Sequence, residues 1–367
     1  MPPPDKQPSH AHPLRVALVG YGVAGAVFHA SLIAATPGML VAAIVTNNAE
    51  RRMQALRDFP KVTLYASAEA LWRDASRYDL AVIATPNCLH VPLGIAAMEH
   101  GLAVVVDKPM APSVTEALKL INISKETGKL LTVFQNRRWD NDFRTVRSLL
   151  DSGRLGAITR FESRFERYRP SPKYDTWRES GEPEQAGGLL YDLGSHLIDQ
   201  AMVLFGKPTQ VYAEVERRRP AVQVDDDTFV ALQFANRVRA HLWVSSVARV
   251  PGPRMRISGL HGTYEKWGLD PQEDALRSDQ RPGHSHWGRE PREKWGHLLT
   301  DSGDSSIDGP LESLPGAYEQ FYALLHLALV MKGPPPVDPL ESVAVLRVIE
   351  AAQESAKCGK TVDMQGS

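Results

Sequence analysis

Three groups of residues in this chain have types and spacings suited to chemistry. The first is Gly20-Tyr21-Gly22-Val23-Ala24-Gly25, a G-x-G-x-x-G directly after the β-branched run LRVALV and before an apolar-periodic stretch holding Val27, Leu32 and Ile33. Glycines so placed permit a tight turn, close approach of a pyrophosphate and helix-to-strand packing, while the helix start supplies N–H donors for phosphate. A glycine-rich turn without a ligand is the plainer alternative. The end of the second strand chooses between dinucleotides, because an NAD site usually carries Asp or Glu about 20 residues beyond the motif, on the ribose 2′-hydroxyl. Here Ile44-Val45-Thr46-Asn47-Asn48 holds no acid, Glu50 comes next, and Arg51-Arg52 follow. Absence of a carboxylate removes repulsion toward a 2′-phosphate, and arginine offers it charge-assisted hydrogen bonds. NADP is therefore expected, with NAD as the alternative in which both arginines are ordinary solvated helix residues.

The second group lies at the ends of later apolar strands: Thr85-Pro86-Asn87 with His90, then Asp107-Lys108-Pro109 after AVVV. Open α/β sheets bind ligands at the carboxyl ends of their strands. Lys108 is poorly explained by packing, although a first solvated residue after a buried strand is common. The third group is Asp192-Leu193-Gly194-Ser195-His196-Leu197-Ile198-Asp199, preceded by Gly187-Gly188. On a helix starting near Asp192 or Gly194, the side chains of Asp192, His196 and Asp199 share one face. Three polar groups on a short apolar helix are costly unless used or paired. The plainer readings are an N-cap at Asp192, a hydrogen-bonded core histidine and a metal site; no further Cys/His cluster supports the last, and no metal is expected.

The elements that must carry these groups alternate. Strands at 14–19, 39–46, 62–65, 79–85, 103–109 and 130–136 are separated by helical patterns at 49–59, 68–75, 91–100 and 115–127. Strands apolar on both faces and spaced by helices predict a doubly wound, mostly parallel α/β sheet. The second half changes pattern: strand candidates at 157–168, 209–218, 227–236, 237–246 and a pair turned at 259–262 predict an α+β domain with a large, mostly antiparallel sheet. Helices are expected at 194–204, 318–331 and 340–357. Residues 270–315 form a Gly-, Pro- and charge-rich excursion too long for a plain connector, with Trp287 and Trp295 inside it. The expected division is a disordered tail over 1–13, a dinucleotide-binding domain over 14–136, and a substrate-binding and oligomerisation domain over 137–367.

The chain has 367 residues, 43% hydrophobic and 23% charged, with 42 Lys+Arg against 43 Asp+Glu and a formal charge of −1. That balance argues against nucleic acid as a partner. No apolar run approaches the roughly 20 residues of a membrane helix, and the N-terminus lacks the apolar core of a signal peptide. The two cysteines, Cys88 and Cys358, are too few for a disulfide framework. A cytoplasmic location is expected.

The G-Y-G-x-x-G start, T-P-N-x-x-H, D-K-P, N-R-R-W-D at 136–140 and D-x-G-x-H-x-x-D occur here in the order found in the glucose-fructose oxidoreductase/inositol dehydrogenase/rhizopine catabolism (Gfo/Idh/MocA) family. The chain resembles that family over about 14–350, and FQNRRWDNDF and KWGLDPQED resemble its NADP-dependent scyllo-inositol dehydrogenase branch. The resemblance implies a Rossmann domain followed by an α+β domain whose sheet often builds a dimer interface, hence a homodimer or homotetramer. It also implies Lys108, Asp192 and His196 as the catalytic set, and Asn136, Arg137 and Asp199, with that set, as substrate-binding residues. The implied cofactor contacts are Gly20, Gly22, Val23, Ala24, Gly25, Thr46, Asn47, Arg51, Thr85, Pro86, Asn87, His90, Asp107 and Lys108. Asp107 departs from the usual glutamate of E-K-P, keeping the carboxylate but shortening its reach.

Oxidation of a secondary alcohol needs a base for the hydroxyl proton, a role suited to histidine. His196 is the expected base, Asp192 the partner that orients it and favours its protonated form, and Lys108 the donor that stabilises developing alkoxide charge. The expected substrate is a cyclitol such as scyllo-inositol, then a pyranose or anhydrosugar. A non-catalytic, NAD(P)- and sugar-sensing regulator on the same fold is the rival. A metal-dependent isomerase using Asp192, His196 and Asp199 is the remaining alternative.

Overall fold

The computed structural model describes residues 12–172, 176–302 and 305–364, with the side chains of 302 and 305 outside the description. The expected tail at 1–13 lies almost wholly outside the described residues. Strands β1 (Leu14–Val19), β2 (Met39–Val45), β3 (Thr63–Tyr65), β4 (Leu80–Ile83), β5 (Ala103–Asp107) and β6 (Leu131–Phe134) pair in parallel, in the order β3-β2-β1-β4-β5-β6. The apolar runs explain this arrangement, since every residue of β4 is buried and a sheet covered on both faces needs no alternation. Strand order reverses between β1 and β4, and the crevice at such a switch point is where open α/β sheets bind ligands.

The second sheet has nine strands: β7 (Ile158–Glu166), β8 (Pro208–Glu216), β9 (Asp227–Phe234), β10 (Arg239–Ser245), β11 (Met255–Gly259), β12 (Gly262–Lys266), β13 (Gly296–Ser302), β14 (Ser305–Leu311) and β15 (Val362–Asp363). Their order is β14-β13-β12-β11-β7-β10-β9-β8-β15, antiparallel except where β7 runs parallel to β10. Alternation sets its faces: Val230, Leu232 and Phe234 of β9 and Ala240, Leu242 and Val244 of β10 are buried in one cluster with Leu197 and Ala201 of the helix Ser195–Phe205 and Val345 and Ile349 of the helix Pro339–Cys358.

The structure adds elements that the sequence pattern obscured. A helix at Asn141–Asp151 buries Phe143, Val146 and Leu149 beneath a heavily charged surface, where a domain junction was expected. The excursion at 270–315 contains β13 and β14, a polar pair at the sheet edge. Its Leu276 and Trp287 are buried in one cluster with Phe321, Tyr322 and Leu325 and with Val16 and Leu18 of the first domain, so the excursion is anchored on the Rossmann core. No helix among the described residues is long and apolar enough to cross a membrane.

Candidate active site and cofactor cleft

A cleft of about 680 Å³ runs over the carboxyl ends of β1, β2, β4 and β5. Gly20 has φ +100°, and a Cβ there would lie 2.4 Å from the Ala84 carbonyl oxygen. Only glycine lets the tips of β1 and β4 approach this closely. Gly22 leaves the loop open beneath the Arg51 guanidinium, whose Nη1 would be 3.9 Å from an added Cβ. Gly25 does not line the cleft. A Cβ there would lie 2.1 Å from the Gly20 carbonyl oxygen, so its part is helix packing behind the loop. Gly20, Gly22, Val23, Ala24, Thr46, Asn47, Arg51, Thr85, Pro86, Asn87, His90, Asp107, Lys108 and Asp192 all face this one space. The two arginines differ: Arg52 Nη1 donates to the Thr46 carbonyl oxygen at 3.2 Å, while the Arg51 side chain borders the cleft. A loop of glycines that a Cβ would block, no carboxylate at the tip of β2 and an arginine over the loop fit a dinucleotide carrying a 2′-phosphate.

At the inner end of the cleft the two domains meet. Lys108 Nζ donates to the Asp192 main-chain oxygen at 2.6 Å and to Asp192 Oδ1 at 2.9 Å, and Arg178 Nε lies 3.7 Å from that Oδ1. Burial would raise the Asp192 carboxyl, but Lys108 and then Arg178 outweigh it and hold it down at about 2. The expected pairing of Asp192 with His196 is therefore replaced by Asp192 with Lys108. Nor is His196 kept protonated: burial, then the charges of Lys108, Arg137 and Arg254, push it well below 6.5, and its Nδ1 is buried without a partner. A neutral imidazole has a lone pair free for a proton, although the burial and cations that keep it neutral also weaken it as a base.

The turn that carries Asp192 is locked from below. Asp225 Oδ2 accepts from Leu190 N at 2.7 Å and Thr228 Oγ1 at 3.0 Å. Gly188 (φ +91°) packs so tightly that an added Cβ would sit 2.0 Å from Asp225 Oδ1. His90 is a second lock, with Nδ1 2.9 Å from the Pro109 oxygen and Nε2 3.0 Å from the Thr85 oxygen, tying the β4 tip to the β5 tip.

Of the expected substrate contacts, Asn136 and Arg137 follow β6 in one short turn, and Arg137 is close enough to depress His196. Arg137 itself pairs with Asp140 at 3.4 Å and Glu273 at 3.2 Å. Asp199 is turned away: both its oxygens accept from Arg138, at 2.6 and 2.8 Å, which makes it a joint between helix and turn. Asp192 lies on a π-helical turn, Leu190–Gly194, ahead of the α-helix Ser195–Phe205 that carries His196 and Asp199. The sequence reading missed Trp177 and Arg178, which line the cleft from the second domain and stack with the guanidinium 4.3 Å from the ring. A Trp-Arg pair in a polar loop was the available signal.

Residues 14–135 match the oxidoreductase family NAD-binding Rossmann fold, and residues 147–364 match the oxidoreductase family C-terminal alpha/beta domain of the same Gfo/Idh/MocA group. The chain belongs to the Gfo/Idh/MocA oxidoreductase family. It is 40% identical over 344 residues to an uncharacterized oxidoreductase, YdgJ, of Escherichia coli K12, covering 94% of this chain and 96% of that one. It is 34% identical over 352 residues to scyllo-inositol 2-dehydrogenase (NADP(+)) IolW of Bacillus subtilis 168, covering 96% of each. Among solved structures, the oxidoreductase YvaA of Bacillus subtilis superposes with a TM-score of 0.91 at 34% identity, covering 97% of this chain and all of that one. Relatives named for activities include scyllo-inositol, D-apiose and D-xylose dehydrogenases, and this member is a dehydrogenase with an NAD-binding Rossmann domain.

Proposed function

We propose that this dehydrogenase uses NADP to interconvert a ring secondary alcohol of a cyclitol or sugar and its ketone, with scyllo-inositol the leading substrate. The observation that carries this reading is the Lys108–Asp192 bridge across the domain junction, near the neutral imidazole of His196 with its partnerless, buried Nδ1. In alcohol oxidation the bound nicotinamide supplies the hydride acceptor. His196 takes the hydroxyl proton as hydride leaves carbon, and Lys108 hydrogen-bonds the same oxygen and stabilises its developing negative charge. Asp192 aims the Lys108 ammonium. On this reading Asn136 and Arg137, on the turn after β6, contact the substrate.

Arg51 over the Gly22 loop supports NADP over NAD, as does the relative IolW, named for NADP. The names D-apiose dehydrogenase and D-xylose 1-dehydrogenase among more distant relatives keep sugars in the substrate class. The nine-stranded sheet, with Phe229, His241 and Trp243 on its open face, would form a subunit contact in a homodimer or homotetramer. The test is a screen of inositols, polyols and aldoses with NADP and with NAD, following reduced-cofactor absorbance. A rise with a ring polyol and NADP is expected, and a flat trace for every substrate with both cofactors would overturn the reading.

A further inference from the structure

Asp107 stands where the family's motif usually carries glutamate, and the structure shows what lies behind the shorter arm. Its Oδ1 accepts from the Lys108 main-chain N–H at 2.7 Å, and the residue borders the cofactor cleft. Its Oδ2 lies 3.8 Å from Nε2 of His29, a completely buried side chain on the first helix. That helix has π geometry over Ala24–Ala30. One-turn π segments re-aim side chains and are frequent at functional sites. The other ring nitrogen of His29, Nδ1, is 2.5 Å from the hydroxyl of Tyr322, itself fully buried on the helix Glu319–Met331.

Burial and then the charge of Asp107 keep the Tyr322 hydroxyl protonated and able to donate to Nδ1, the arrangement that leaves a hydrogen on Nε2 for Asp107. Nε2 is buried with no hydrogen-bond partner, and the Asp107 carboxylate, 3.8 Å away, is the acceptor it faces. The surroundings are otherwise apolar, with the Phe134 ring centroid 4.3 Å from that of His29. A leucine would fill such a place without the cost of burying polar groups, so packing alone does not account for the trio.

We propose that His29, backed by Tyr322, is a positioning residue of the redox site: it aims the Asp107 carboxylate at the bound dinucleotide and steadies the main chain of Lys108. The inference rests on the cleft being a nicotinamide dinucleotide site. The groups facing Asp107 are His29 from the first helix, His90 from the helix His90–Glu99, Tyr322 from the helix Glu319–Met331 and its neighbour Lys108. Burial would raise the Asp107 carboxyl, but His29 first and then Lys108 hold it below the ordinary range. Removing His29 moves its titration upward.

The test is the dissociation constant of NADPH for the full chain, read from its fluorescence across pH, in His29→Phe, Asp107→Asn and the double variant. His29→Phe is expected to weaken NADPH about tenfold, as loss of a donor to a charged acceptor does, and to shift the acid-side loss of affinity to higher pH. In the Asp107→Asn background the same substitution should change neither. His29→Gln, whose amide can donate to Asp107 and accept from Tyr322, should restore most of the affinity. If His29→Phe does not fold, Tyr322→Phe carries the same cycle with about a threefold effect. Equal losses in both backgrounds with an unmoved pH midpoint would make His29 a packing residue and overturn the inference. Parent protein that binds neither NADPH nor NADH overturns the reading of the cleft and the inference with it, whereas tight parent binding with an additive cycle overturns the inference alone.

Discussion

Arg51 and Arg52 are adjacent in sequence and differ in commitment. Arg52 is spent on the Thr46 carbonyl, and Arg51 borders the cleft over Gly22. Arg51→Ala should therefore narrow the preference for NADP over NAD roughly tenfold or more, the worth of a charge-assisted contact to phosphate, whereas Arg52→Ala should leave the ratio unchanged; competitive titration of both cofactors reads the difference. The sequence shows the missing acid but cannot rank two neighbouring arginines, because the rank depends on a helix cap: Asn48 Oδ1 accepts from Arg51 N at 2.9 Å and sets the helix phase. Spacing suggested a pair of His196 and Asp192 that the structure does not form, while Lys108 as the partner of Asp192 was hidden, since 84 residues separate them in the chain. That change has a pH consequence. A histidine pushed well below 6.5 stays neutral through ordinary pH, so the acidic limb of kcat/KM for alcohol oxidation should lie well below pH 6.5. A limb centred at or above 6.5 would show that His196 is not the titrating base.

At the scale of elements, Gly187-Gly188 is a signal whose meaning only packing reveals. Gly188→Ala forces a strained φ and a clash with Asp225, at a cost of about 1–3 kcal/mol, and it should displace the Asp192 turn. Urea unfolding should show the loss, and turnover should fall further than NADPH affinity. Burial pushes Asp225 up to about 6 from an ordinary 3.8. A carboxyl raised on folding contributes stability that is present below pH 3.8 and is lost as pH rises through about 6. Relative to Asp225→Asn, the parent should therefore lose stability between those limits, and unfolding at both ends of that window checks it. The alternating half was read well because buried parallel strands announce themselves as apolar runs. The edge pair β13–β14 was not, because GHLLTDS and SSIDGPL are too polar to register as strands. The helix Asn141–Asp151 did carry a helical apolar spacing, masked by its charges.

At the scale of the whole molecule, the change from alternating to consecutive strands was visible in sequence, but the knitting of the two halves was not. Trp287 is buried against the first-domain core and its Nε1 donates to Glu319 Oε2 at 2.7 Å. Trp287→Ala should cost about 3–5 kcal/mol in urea unfolding and expose 270–315 to proteolysis that the parent resists. Asn87 Nδ2 donates to the Gln185 and Ala186 oxygens at 3.1 and 3.2 Å, a second tie beside Lys108–Asp192. The proposed active site thus draws on both domains, with the lysine from one and the aspartate and histidine from the other. The most direct test is a single-turnover measurement of reduced-cofactor appearance with NADP and scyllo-inositol, or the best polyol of the screen, in parent and His196→Ala, alongside NADPH binding. The rate should fall about 10²- to 10⁴-fold while NADPH affinity barely moves. A folded His196→Ala protein that turns over at the parent rate would contradict the assignment of the base and, with it, the site.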